Sequence, residues 1–286
     1  MIVTDPAHDQ GKDLIEALHR DPPVDRLSPA QTLPQAIPSG GVNLNAVLYT
    51  ASGAGAHPTV LLLHGLPGNE QNIDLAQTLR RAGWNVLTIH YRGSWGGPGI
   101  FSFGHCLEDA AAALNWMQNS ADDQALKIDP DRIVVIGHSM GGFVAANLLA
   151  TQPGVRSGAM ISGVDLGGAF GSRDEGRAAT DIDEHVGFGA GLHILAGTSA
   201  ATLAAEAQRN AGQWRLASYA ARLADRQLLT VTSDDGFASG SVALTDAILA
   251  SGGARPTRRH FATDHSYSDC RIALQMTVLR WLARLA

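Results

Sequence analysis

Residues 132–150 read Arg132-Ile133-Val134-Val135-Ile136-Gly137-His138-Ser139-Met140-Gly141-Gly142-Phe143-Val144-Ala145-Ala146-Asn147-Leu148-Leu149-Ala150. A β-rich apolar run leads into a helix-forming run, with G-x-S-x-G at the bend. That strand–turn–helix setting is what a nucleophile elbow requires. The small residues have a physical purpose. A sharp turn leaves no room for side chains at Gly137 and Gly141, and it projects the Ser139 hydroxyl off the backbone. Ser139 then stands at a helix N-terminus, where free N–H groups and the helix dipole favour developing negative charge. The alternative, a glycine-rich turn with an idle serine, is disfavoured by the strand before it and the helix after it.

Working outward, short apolar runs alternate with helical ones. Val42 to Tyr49 alternates apolar and polar residues, as an antiparallel strand with one wet face would. Thr59-Val60-Leu61-Leu62-Leu63 is continuously apolar, the pattern of a strand buried on both faces. Ile73 to Ala82 has helical spacing and Trp84 to His90 is again a strand. Cys106 to Met117 reads as a helix with Glu108 and Asp109 in its first turn. Ala159 to Ser162, Leu228 to Thr232 and Arg258 to Ala262 are further strands, and Arg271 to Ala286 is a closing helix. This rhythm implies an α/β chain with a mostly parallel sheet covered on both faces. Residues 1–38, rich in Pro, Asp and polar residues, read as an N-terminal tail, and 39–286 as the domain. Residues 163–225 are too long for an ordinary connection. They read as a cap insertion over the elbow, helix-forming from about Ala200 to Ala224.

Bulk properties bound the function. The 286 residues carry 21 Lys and Arg against 27 Asp and Glu, a net charge of −6. That argues against nucleic acid and anionic membranes as partners. No apolar stretch approaches the roughly 18 residues needed to span a bilayer. The polar start lacks signal-peptide regions, so the chain reads as soluble and, as written, cytoplasmic; a leader removed beforehand would be invisible. Cys106 and Cys270 form no C-x-x-C and read as incidental thiols. Asp181-Ile182-Asp183-Glu184-His185 reads as a solvated run rather than a metal cluster, so no metal or cofactor is expected.

A serine hydroxyl needs a base. His265 is the best placed of the eleven histidines. It follows the last strand in the loop Thr263-Asp264-His265-Ser266-Tyr267, whereas His260 lies inside that strand and His138 is held in the elbow itself. The base in turn needs a carboxylate. Asp235, in Ser233-Asp234-Asp235-Gly236 after the preceding strand, is the first choice. Asp234 is the alternative acid, and Asp165 a third. The order Ser139, Asp235, His265 is that of one triad-bearing fold.

On these residues the chain resembles the α/β-hydrolase superfamily, near prolyl-oligopeptidase-type catalytic domains and dienelactone-hydrolase-like esterases. The stretches that carry the likeness are His64-Gly65-Leu66-Pro67-Gly68, Tyr91-Arg92-Gly93-Ser94-Trp95-Gly96, the elbow, and Asp264 to Asp269. It covers residue 42 onward. The resemblance implies a serine hydrolase with an oxyanion hole made by the backbone N–H groups of Leu66 and Met140. Trp95 and Phe101 are candidate substrate contacts, and Arg92 is expected to support its loop by pairing with a carboxylate such as Asp109. A small-molecule ester is the expected substrate. The competing readings are a peptidase or amidase using the same groups, and a non-catalytic binding protein. A dehalogenase or epoxide hydrolase would carry a carboxylate at 139, a strict dienelactone hydrolase a cysteine, and a metalloprotease H-E-x-x-H.

Overall fold

The computed structural model describes residues 14–120, 122–171, 180–182 and 191–285. In chain order the elements are β1 (Gln31–Ser39), β2 (Val42–Thr50), β3 (His57–Leu63), α1 (Ile73–Arg81), β4 (Asn85–Ile89), α2 (Phe103–Asn119), β5 (Ile128–His138), α3 (Met140–Thr151), β6 (Ser157–Ile161), α4 (Leu166–Phe170), α5 (Ala200–Arg209), α6 (Ala220–Leu223), β7 (Gln227–Ser233), α7 (Ala238–Ala250), β8 (Thr257–Phe261) and α8 (Arg271–Leu282). The strands form one eight-stranded sheet in the order β1-β2-β4-β3-β5-β6-β7-β8. β1, β2 and β4 pair antiparallel, and every pair from β4 to β8 is parallel.

The doubly covered sheet follows from the two-residue period of a strand. Leu61 and Leu63 of β3, with Ile133 and Val135 of β5, face the core built by α2, α3 and α7. Val60 and Leu62, with Val134 and Ile136, face the opposite core of α1 and α8. Both sets are buried, which is why these strands read as continuous apolar runs. In β2 the burial alternates, as expected of a strand near the edge.

Three sequence boundaries are corrected. Residues 31–39 of the expected tail are the edge strand β1, paired with β2 along its whole length. Pro34 and Pro38 disguised it. Both sit in an edge strand, on the register positions alternate to Gln31, whose N–H reaches toward β2 at the Thr50 hydroxyl, so no ladder donor is lost. The α2 helix starts at Phe103 rather than Cys106, placing Glu108 and Asp109 past the first turn. Ser102 caps the His105 amide, and the remote Glu206 accepts from the amides of Phe103 and Gly104, both at 2.9 Å. The helix-forming stretch expected from Ala200 to Ala224 is broken into α5, a 3-10 turn over Leu216–Tyr219 and α6. The described parts of 163–225 pack on α2 and α3, with Trp214 edge-on to Phe103 and Phe143. They also pin the loop after β4, where Trp95 N donates to Ile194 O at 3.0 Å. Among the described residues no helix is long and apolar enough to cross a membrane.

Candidate functional site

β5 ends in the centre of the sheet, and the chain reverses into α3 through Ser139. Ser139 has φ 59 and ψ −124, a conformation an L-residue holds only when its surroundings impose it. Its amide donates to Ile161 O at 2.9 Å, and its carbonyl accepts from Gly142 and Val164. The glycines are required sterically. A Cβ on Gly137 would lie 1.9 Å from Gly141 O, and one on Gly141 would lie 2.2 Å from Leu63 O. Gly65 is as tight from the other side, since its Cβ would come within 2.6 Å of Ser139 Cβ. Ser139 is 2% exposed, and its Oγ has no hydrogen-bond partner among the described residues. It opens on a cavity of about 200 Å³ walled by Gly65 to Glu70, His138, Ser139, His265 and Ser266.

His265 comes to this cavity from the loop between β8 and α8. Its Nδ1 lies 2.7 Å from Asp235 Oδ2, which fixes the neutral ring as the Nδ1–H tautomer and leaves Nε2 as the basic nitrogen. The Phe237 ring packs edge-on against the imidazole at 5.3 Å. The Asp235 side chain is 3% exposed. Burial alone would push its pKa up. Hydrogen bonds from His265, Ser162, the Phe237 amide and Ser233 outweigh that and hold the carboxyl well below the usual range. Behind it the Ser162 hydroxyl is shared with Ser233 at 3.0 Å and Tyr267 at 2.9 Å. Tyr267 is wholly buried, and burial pushes its phenol up to about 12. Ser162 and Tyr267 both adopt positive φ, of 45 and 57, so this polar floor is held in strained backbone.

The other acids are placed elsewhere. Asp234 is solvent-exposed and pairs with His260 Nε2 at 3.1 Å on the outer face of β8. Asp165 caps α4, accepting from the amides of Gly168 and Leu216. His138 does not serve Ser139. Its Nε2–H donates to the backbone O of His265 at 2.8 Å, and the two rings pack tilted at 4.9 Å between centroids. Burial lowers its pKa to about 3, so the ring stays neutral and acts as a fixed donor. This brace, and the Ser162–Ser233–Tyr267 floor, were not legible in the sequence; only the adjacency of His138 to Ser139 hinted at the first.

Leu66 lies in the cavity wall, and Met140 is the first residue of α3, so its N–H has no partner within the helix. His64, two residues before Leu66, is buried; burial lowers its pKa to about 4, and its Nδ1–H donates to Gly65 O at 2.7 Å. Trp95 is 41% exposed, and its Nε1–H donates to Pro67 O at 3.0 Å, tying its loop to the cavity wall. Neither Trp95 nor Phe101, the two expected substrate contacts, is among the residues that wall the cavity. Phe101 is 1% exposed and edge-on to Phe103 in the core, with its amide tied to Ala196 O. Arg92 pairs as expected with buried Asp109, at 2.7 Å, and also reaches Glu108. Of the expected polar run 181–185, residues 183–185 lie outside the described residues. Cys106 and Cys270 are unbridged.

The family model that matches the chain is that of the alpha/beta hydrolase fold, over residues 58–184. A similar relative is an uncharacterised protein of Mycobacterium tuberculosis, 33% identical over 114 residues. That match covers 40% of this chain and 39% of the relative. The lysophosphatidylserine lipase ABHD12 of Danio rerio is 31% identical over 108 residues, 37% of this chain and 26% of that protein. The chain thus spans well under half the length of the curated relatives it matches. Among solved structures, the carboxylesterase EstE1 from a metagenomic library superposes with a TM-score of 0.61 at 22% identity, covering 98% of both chains. A puromycin-hydrolysing peptidase of Mycobacterium tuberculosis gives 0.63 at 14% identity, over 87% of this chain and 38% of that one.

Proposed function

The chain has the α/β-hydrolase fold, and from that premise we propose that it is a serine hydrolase acting on carboxylic esters of small to medium acyl groups. One observation carries the reading: Ser139 and His265 wall the same small cavity, while His265 Nδ1 lies 2.7 Å from a buried Asp235. In the proposed cycle, Ser139 Oγ bonds to the ester carbonyl carbon as its proton passes to His265 Nε2. The carbonyl electron pair moves to oxygen, where the Leu66 and Met140 N–H groups hold it; two such donors are worth several kcal/mol of barrier. The intermediate collapses as the C–O bond breaks and His265 returns the proton to the leaving alcohol. Water, deprotonated by His265, then releases the acid and restores Ser139. Asp235 stabilises the imidazolium at both stages.

The insertion 163–225 is proposed to set acyl-chain preference, since its described part anchors the Trp95 loop at the cavity rim. A peptidase or amidase reading keeps the same groups and draws support from the likeness in fold to peptidases. The test is a panel of p-nitrophenyl esters of rising acyl length beside aminoacyl amides, on wild type and Ser139→Ala, with fluorophosphonate labelling. The reading expects ester turnover and labelling that both vanish in Ser139→Ala. Labelling retained in that variant overturns it; amide turnover exceeding ester turnover selects the peptidase reading.

A further inference from the structure

Glu70 stands in the wall of the cavity that holds Ser139 and His265. It sits on the loop that carries Leu66, and its side chain is one-third exposed. Its Oε1 accepts from the Asn72 amide at 2.5 Å, which folds the carboxylate back against its own loop and fixes its position. Among the described residues, the cation that reaches it is Arg271, at the start of α8. That guanidinium is already committed. Its Nε and NH2 form a bidentate pair with Asp74, at 2.9 and 2.5 Å, while NH1 donates to Ser266 O at 2.8 Å. Glu70 lies 3.7 Å from the same NH2, beyond hydrogen-bond range. Two carboxylates therefore share one guanidinium, so the three groups together carry one net negative charge, and of the three only Glu70 stands in the cavity wall. Asp264, exposed beside His265, is satisfied by Ser268 rather than by a cation. The Asp235 charge is balanced by His265 only when the ring is protonated. The cavity itself receives a reactive group: the Ser139 hydroxyl, nine-tenths buried and without a hydrogen-bond partner among the described residues, opens into it.

We propose that Glu70 is a specificity-determining residue, selecting esters that carry a cationic group, such as an amine or quaternary ammonium, near the scissile carbonyl. The inference rests on the serine-hydrolase reading and narrows its substrate class. A charge about 7 Å from its partner, in a half-open site of effective dielectric about 40, changes kcat/KM about fivefold to tenfold. Coulomb attraction of this kind is weakened by salt.

The test uses isosteric pairs that differ only in charge. One pair places the cation on the alcohol side: acetylthiocholine against 3,3-dimethylbutyl thioacetate. The other places it on the acyl side: the p-nitrophenyl esters of 4-(trimethylammonio)butanoate and 5,5-dimethylhexanoate. Wild type should favour the cationic member of at least one pair about fivefold to tenfold, and 1 M salt should shrink that ratio. Glu70→Gln keeps an acceptor for the Asn72 amide and removes the charge; it should bring the ratio close to one. A Glu70→Gln ratio equal to wild type, or no cationic preference in either pair, overturns the proposal while the hydrolase reading stands. Absence of Ser139-dependent turnover of every ester fells that reading, and this one with it.

Discussion

Asp234 and Asp235 are adjacent in sequence and chemically identical, so Asp235→Asn and Asp234→Asn form a controlled pair. Asp235 Oδ2 is 2.7 Å from His265 Nδ1, in a side chain 3% exposed, with the ring 26% exposed. Taking the charge centres about 4 Å apart at an effective dielectric of about 20, the carboxylate stabilises the imidazolium by about 4 kcal/mol, which is about a thousandfold in rate. The partial exposure of the ring lowers that toward a hundredfold. An asparagine amide facing Nδ1 would favour the wrong tautomer and pull the loss toward ten-thousandfold. The expected fall in kcat for Asp235→Asn is therefore about 10²- to 10⁴-fold, with KM little changed. Asparagine Oδ1 can still accept from the Phe237 amide, bound by Asp235 Oδ1 at 2.9 Å, so the fold should survive. Asp234 and His260 are 64% and 52% exposed, a surface pair worth less than about 1 kcal/mol. Asp234→Asn should stay within about threefold of wild type. The assay is p-nitrophenyl butyrate hydrolysis at pH 8, with melting curves to confirm folding. Equal losses in the two variants, or a folded Asp235→Asn within tenfold of wild type, would refute the assignment.

Two further outcomes follow from packing and burial. Gly141→Ala puts a Cβ 2.2 Å from Leu63 O and 2.6 Å from His64 O, both unyielding backbone, and should cost about 3 kcal/mol or more in urea denaturation; Gly212→Ala, with open space around it, should change stability by less than about 0.5 kcal/mol. Acid stability is set in part by His138 and His64, whose folded pKa values are lowered to about 3 and about 4. Below pH 6.5 the unfolded chain takes up protons that these buried rings refuse, so stability falls as pH drops, by about 3 kcal/mol for the two rings together between pH 6.5 and 5. Unfolding free energies that stay flat across that window would show that the rings are not held neutral.

The parallel core strands were legible because burial on both faces writes an unbroken apolar run, as in Val60 to Leu63. The elbow was legible because only glycine fits at Gly137 and Gly141, so its steric demand is recorded in residue identity. β1 was not, because an edge strand needs little apolar surface and tolerates Pro34 and Pro38. Phe101 was misplaced for a related reason. An aromatic residue near a site reads the same whether it lines a pocket or packs under it, and here the Ala196 carbonyl draws its backbone inward. The start of α2 was hidden because Glu206, 103 residues beyond Phe103, supplies its cap.

By itself the sequence determined the strand–helix rhythm, the bend at Ser139, and the chain order of the serine, aspartate and histidine candidates. These are local: they follow from apolar periodicity, from glycine sterics, and from which residue types end which strands. The tertiary structure decided which of two neighbouring aspartates meets His265. It also decided that His138 braces the His265 loop rather than acting on Ser139, and that Ser162, Ser233 and Tyr267 form the polar floor beneath Asp235. Those choices depend on 2.7–3.0 Å contacts between the ends of β5, β6 and β7 and the loop before α8, residues up to 127 apart. Side-chain direction at a turn, and not residue type, separates Asp235 from Asp234, and that direction is fixed only when β7 and β8 pair.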